Sequence, residues 1–268
     1  MSEVRLVAID LDGTLLRSDR TISPRSRAAI NAARAAGIDV VIATARSPRS
    51  TREIAAEAGI GGLAICANGA IVFDLDADRI VTHRPLAAAT AHRLVIGLRD
   101  ACPGVVFGWE YELRFGSEPA YEAQRNVDWW PRPGDSFPAC DPLEWAQPMT
   151  KLLARPAPED LDHVHVIAKE LAGIDATTTL AGTAFVEIAA PGVGKEASLA
   201  KLAADRGLRS DNVVALGDHL TDLEMIRWAG LGIAVANAHP AVIAAADEVT
   251  PSNDDDGVAI VLERLVTA

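Results

Sequence analysis

The feature that most constrains this chain is a rhythm of short apolar runs alternating with helix-length amphipathic stretches. It runs to about residue 82, stops, and resumes after Pro191. Residues 4–9, 38–43 and 63–66 are β-prone and free of Gly and Pro, so each reads as a short buried strand. The intervening helices are well signed. The first has Ser23 as N-cap, Pro24 at its first position, Ile30 and Ala33 on one face and Gly37 as its stop; the second covers about residues 48–58, before Gly59. Asn68-Gly69 is a turn pair that can return the chain through residues 70–73 as a hairpin. This β-α-β-α-β order implies a parallel sheet with right-handed crossovers and its polar strand ends gathered on one edge.

From about residue 82 the order becomes α+β. A helix is expected over residues 86–99, strands near 105–107, 151–154, 174–179 and 184–189, a helix over 158–171, and a Pro- and Trp-rich stretch over 129–148. The first rhythm then returns with helices over 195–205, 239–245 and 257–266, a further helix running through Met225, and strands over 213–216 and 232–235. The reading is an α/β protein with a Rossmann-like parallel-sheet core, residues 1–83 and 190–268, interrupted by an inserted α+β cap domain, residues 84–189. Two smaller expectations go with it. Residues 15–22, too polar for a core strand, should form a flap, and the acidic run at 253–256 should cap the last helix.

Composition narrows the function. A formal net charge of -12 disfavours a nucleic-acid backbone or an anionic membrane as partner. No apolar run approaches membrane-spanning length and the start lacks a basic leader, so the chain is expected to be cytoplasmic. Cys66, Cys102 and Cys140 are odd in number and widely spaced, which fits reduced structural thiols better than a disulfide framework or a zinc site. Oligomeric state is left open.

Groups suited to chemistry collect at strand ends. Asp10 and Asp12 leave the first strand together on one side, with Gly13 permitting a sharp turn; Thr44 follows the second strand; Lys195, Asp218 and Asp222 come later. Each alone has a local explanation as an Asx turn, an N-cap, a solvated helix start or a first-turn acid. Local capping does not explain acids converging on one edge, because like charges about 4 Å apart repel by about 4 kcal/mol at an effective dielectric of 20. A cation should hold them, and an oxygen-only ligand set points to Mg²⁺ before zinc or copper. Gly-Val-Gly-Lys at 192–195 is not a P-loop, since Ala189 and Glu196 stand where that pattern needs Gly and Ser or Thr.

Asp10-Leu11-Asp12-Gly13-Thr14, Thr44, Lys195 and Gly217-Asp218-x-x-x-Asp222 together resemble the four ordered motifs of haloacid dehalogenase-like phosphatases. The position of the insert, Asn68-Gly69-Ala70 and Asn237-Ala238 resemble the Cof-type sugar-phosphatase subgroup. The resemblance implies a Mg²⁺-dependent phosphatase of small phosphorylated metabolites, with Asp10 as nucleophile and Asp12 as acid and base, its pKa raised by burial and the neighbouring carboxylate. Thr44 would donate to phosphate and Lys195 would neutralise developing charge. Asp10, the Asp12 carbonyl and Asp218 would hold the metal with Asp222 behind them, and Arg46, Asn68, Gly69 and Asn237 would lie at the substrate. Thr221 departs from the pattern, which usually has Asn there. A phosphomutase on the same core and a non-catalytic sugar-phosphate-binding protein are the alternatives. Trp129, Trp130 and Trp145 are open to two readings, a sugar-stacking surface or the insert's own core.

Overall fold

The computed structural model describes residues 3–123, 135–181 and 184–267. Trp129 and Trp130 lie outside the described residues. The chain divides into two compact units. One comprises Met1–Arg46, Ser50–Val81 and Gly194–Ala268; the other comprises Ser47–Arg49 and Thr82–Val193.

In chain order the first part runs β1 (Leu6–Ile9), α1 (Pro24–Ala35), β2 (Asp39–Ala43), α2 (Pro48–Ala58), β3 (Leu63–Cys66), β4 (Ile71–Asp74) and β5 (Arg79–His83). The interrupting part runs α3 (Ala88–Ala101), β6 (Val106–Tyr111), β7 (Arg114–Ser117), α4 (Pro119–Ala123), β8 (Lys151–Arg155), α5 (Leu161–Ala172), β9 (Thr177–Ala181) and β10 (Phe185–Ala189). The chain then continues with α6 (Lys195–Asp205), β11 (Val213–Gly217), α7 (Leu223–Trp228), β12 (Leu231–Val235), α8 (Pro240–Ala245), β13 (Glu248–Thr250) and α9 (Gly257–Thr267).

The first unit is built on a sheet in the order β13-β12-β11-β1-β2-β3-β4-β5, parallel from β13 to β3 and antiparallel at β3–β4. Every residue of β1 is buried, and its two faces feed different layers. Leu6 and Ala8 join a cluster with Leu199, Leu202 and Ala203 of α6 and Met225 of α7. Strand order reverses between β1 and β11, since β2 and β3 follow on one side and β12 and β13 on the other. That reversal opens a crevice at the carboxyl edge, where ligands of open α/β sheets bind.

Helix α1 starts as its sequence requires: Ser23 is extended and its hydroxyl accepts from the Ser26 N–H, with Pro24 following. The Asn68-Gly69 turn does return the chain, with Cys66 opposite Ile71 in the antiparallel pair. Strands β5, β7 and β13 were not expected. They are short edge strands, and an edge strand has only one neighbour to hide behind, so it lacks the apolar run that marks a central one.

The stretch expected as a flap is anchored at its start, where Leu15 and Leu16 are buried, while residues 18–21 are exposed. The acidic run leads directly into α9, with the Asp256 carbonyl accepting from the Ile260 N–H, while the side chains of Asp254 and Asp256 bind Ser18 and Arg17.

The second unit is an antiparallel sheet in the order β7-β6-β8-β10-β9. Alternation along β6 sends Phe107 and Trp109 to one face, where they pack with Leu94 and Leu98 of α3 and Val164 and Ala168 of α5. Trp145 belongs to the margin of this cluster, with ring centroids 5.8 Å from Trp109 and 4.5 Å from Phe137. It serves the unit's own core.

The two clusters share no residue, since one draws on residues 6–72 and 199–229 and the other on residues 86–188. Replacing residues 82–193 by a short Gly-Ser linker is therefore expected to leave a first unit that still melts cooperatively. Calorimetry checks this; a broad, non-cooperative melt would show that the two cores depend on each other.

Candidate active site

Asp10 follows β1, Thr44 follows β2, Asn68 follows β3, Asp218 follows β11 and Asn237 follows β12, so the parallel strands deliver all five to one edge. Lys195 does not come from a strand of this sheet. It opens α6, after Gly194 in extended conformation, and is 3% exposed. Its ammonium donates to Asp10 Oδ1 at 2.5 Å and to Asp222 Oδ1 at 2.6 Å.

Asp222, fully buried, uses its other oxygen to accept from the N–H groups of Asp218 (3.2 Å) and His219 (3.0 Å). Asp222 is the third residue of its short turn, and its carboxylate reaches back to the N–H of His219, which opens the turn, as in a capping box. Asp218 accepts instead from the Thr14 hydroxyl at 3.0 Å. Gly13 makes that approach possible. It has φ +81°, and any side chain there would collide with the Asp218 carboxylate. Thr221, where the motif usually has Asn, places its hydroxyl 3.4 Å from His219 Nδ1.

Oxygens of Asp10, Asp218 and Asp222 all lie within 4.8 Å of one another. Burial, then the Asp222 charge, push the pKa of Asp10 well above the usual carboxylate value, with Lys195 opposing; burial and Asp222 likewise raise Asp218. Burial by itself would lower the pKa of Lys195, but Asp10 and Asp222 outweigh it and hold the ammonium charged. Three carboxylates facing one ammonium leave two excess negative charges, and all the donors are oxygens. A divalent hard cation fits that set.

Asp12 differs from expectation. Its side chain is about half exposed and its carboxylate is forked by Arg46, Nε to Oδ2 at 2.7 Å and Nη2 to Oδ1 at 2.6 Å. Thr44 is fully buried and accepts from the Arg46 N–H at 3.1 Å through Oγ1, which leaves its own hydroxyl proton to give. Asn68 is buried with φ +53°, and the Gly69 carbonyl accepts from Ser198 Oγ of α6 at 2.7 Å. A side chain at Gly69 would meet the Gly194 carbonyl, so this turn and the start of α6 fit closely together. Asn237 bonds within the fold, to Gly13 and Asn253. Of the residues expected in the site, Asp10, Lys195, Asp218 and Asp222 form one bonded cluster; Asp12 and Arg46 form a second, partly exposed pair.

Residues 7–262 match the family described as haloacid dehalogenase-like hydrolase. The chain belongs to that family. It is 30% identical over 266 residues to a 5-amino-6-(5-phospho-D-ribitylamino)uracil phosphatase of Bacillus subtilis (strain 168), covering 98% of this chain and 96% of that protein. It is 29% identical to a pyridoxal phosphate phosphatase of Escherichia coli (strain K12), covering 95% and 96%. A crystal structure of a haloacid dehalogenase-like hydrolase from Bacteroides thetaiotaomicron superposes with a TM-score of 0.79 at 25% identity, covering 98% of this chain and 99% of that one. The motif resemblance to the family and its Cof-type subgroup is borne out, and with it the enzyme class, a phosphoric monoester hydrolase. Among the described residues no helix of this hydrolase is long and apolar enough to cross a membrane.

Substitutions at the two ends of the cluster should move stability in opposite directions. Lys195→Met leaves Asp10 and Asp222 without their cation and is expected to cost about 3–5 kcal/mol. For Asp218 the sign reverses. Its pKa is raised on folding, so its charge opposes folding at neutral pH, an opposition that fades as pH falls through the raised value. Asp218→Asn should therefore melt above the wild type in chelator. Thermal melts in EDTA across pH 5–8 check both signs.

Proposed function

We propose that this hydrolase is a cytoplasmic, Mg²⁺-dependent phosphatase of small phosphomonoesters, sugar phosphates or similar metabolites, working through an aspartyl-phosphate on Asp10. The observation that carries the reading is the Lys195 ammonium joined to Asp10 and Asp222, with Asp218 in reach, at the β1/β11 reversal. Relatives named for phosphatase activity on a ribitylamino-uracil phosphate and on pyridoxal phosphate support the substrate class. The net charge disfavours nucleic acid as the substrate.

Asp10, the Asp12 carbonyl and Asp218 would hold Mg²⁺, with Asp222 behind them. Bound there, the ion would offset the negative charge that otherwise keeps a phosphate dianion from a carboxylate nucleophile. The remaining steps belong to the chain's own groups. An Asp10 oxygen attacks phosphorus while the P–O bond to the leaving group breaks, and Asp12 gives that oxygen its proton. Asp12 then takes a proton from water, whose oxygen attacks phosphorus and returns Asp10 as a carboxylate with release of phosphate. Lys195 holds Asp10 in place and bears part of the charge that develops on the transferring oxygens; the Thr44 hydroxyl and the Arg46 guanidinium donate to phosphate. Asn68 and Gly69 line the substrate side, and the inserted unit, residues 84–189, governs which metabolite is taken.

The test is phosphate release from a panel of phosphate esters with chelator, Mg²⁺ or Ca²⁺, together with labelling of two variants. Chelation should abolish release, with Mg²⁺ restoring it better than Ca²⁺, whose looser shell positions an in-line attack poorly. Asp10→Asn should lose activity by more than about a thousandfold and take up no label. Asp12→Asn keeps the nucleophile and loses the proton carrier, so it should accumulate phosphate on Asp10 from p-nitrophenyl phosphate, whose leaving group needs no proton. Label on another residue, or full activity in chelator, would rule the mechanism out.

A further inference from the structure

The short turn that leaves β12 touches two acid-bearing loops at once. Asn237 Nδ2 donates to the Gly13 carbonyl at 2.8 Å, and two residues further the His239 backbone N–H donates to the Asp218 carbonyl, also at 2.8 Å. Asn237 Oδ1 in turn accepts from the Asn253 N–H at 3.0 Å, and Asn253 Nδ2 donates to the Leu16 carbonyl at 2.8 Å. The loop after β1 is thus held at Gly13 and at Leu16 by amides that lie more than 220 residues away in the chain.

Gly13 is where such a hold matters. The loop lies against the Asp218 carboxylate with no space for a Cβ, and Thr14 bonds the same carboxylate, so no side-chain bulk at position 13 sets the separation. Hydrogen bonds must set it. A primary amide both donates and accepts from one short planar group, so Asn can join a carbonyl on one side to an N–H on the other.

We propose that Asn237, with Asn253 behind it, is a positioning residue that fixes the Gly13-Thr14 turn relative to Asp218, and through it the placement of Asp10 and Asp12. It acts through the loop and not by touching the substrate, because its carbonyl oxygen and one amide proton are already engaged in the fold. The kinetic arm of the test rests on the phosphatase reading; the structural arm does not.

The experiment compares full-length wild type with Asn237→Ala, Asn237→Asp, Asn253→Ala and the double alanine variant, each first shown to melt cooperatively. Hydrogen exchange without substrate reads the amides of residues 13–18, and steady-state kinetics with p-nitrophenyl phosphate and Mg²⁺ reads kcat and KM separately. Exchange should accelerate in the alanine variants. Turnover should fall about tenfold to a hundredfold, the scale of a small misplacement of reacting groups, with KM changed by less than about twofold. Asn237→Asp should behave like Asn237→Ala, since a carboxylate cannot donate to the Gly13 carbonyl. The double variant should exchange faster than either parent, because the Asn237 side chain holds Gly13 and the Asn253 side chain holds Leu16, and the bond between the two residues runs through the Asn253 backbone N–H, which alanine keeps. Exchange equal to wild type would overturn the inference, as would a raised KM at unchanged kcat, which is the signature of a substrate contact. A wild type that leaves p-nitrophenyl phosphate intact would count against the phosphatase reading, and the exchange result would still decide the positioning role.

Discussion

The structure of the site depends on the Lys195 ammonium between Asp10 and Asp222. Three buried or half-buried carboxylates would not share one sheet edge without it, and the ammonium would not stay charged at 3% exposure without them. Each member is placed by a different element: Asp10 by β1, Lys195 by the first turn of α6, and Asp222 by the turn before α7. The cluster therefore exists only when the β1/β11 pairing and the packing of α6 on the sheet are both complete, which links the chemistry of the site to the global fold.

The second unit solves a similar problem on its own sheet. Lys151 on β8 is buried and donates to Glu187 on β10, with Glu110 on β6 a further 3.9 Å from the ammonium. Burial would lower the pKa of Lys151, and Glu187 and Glu110 raise it instead. Here the lysine and its two acids link three adjacent strands on the face opposite the α3 and α5 layer. Both units place a buried lysine among acids, but among the described residues only the first gathers a third carboxylate within reach, in a donor set that suits a divalent cation.

Much of this was legible in the sequence. Central strands announce themselves because they are buried on both faces, as the run from Leu6 to Ile9 is, and α1 because Ser23, Pro24 and Gly37 satisfy fixed backbone needs at its ends. What was missed follows from the same physics. Edge strands such as β5 have half the burial and half the signal, and Leu15 and Leu16 were hidden among the polar residues that follow them.

The sequence by itself determined which residues could carry chemistry. In a parallel α/β sheet the residue after each strand must arrive at the carboxyl edge, so Asp10, Thr44 and Asp218 were candidates by position alone. Only the tertiary structure decided what each of them meets. That Asp12 lies half exposed in the grip of Arg46, that Asp222 reaches back to the N–H of His219, that Asp254 and Asp256 reach Ser18 and Arg17, and that Asn237 braces Gly13 all depend on the angles at which loops leave their strands. Those angles are set by packing between residues up to 239 positions apart, and no local pattern in the chain encodes them.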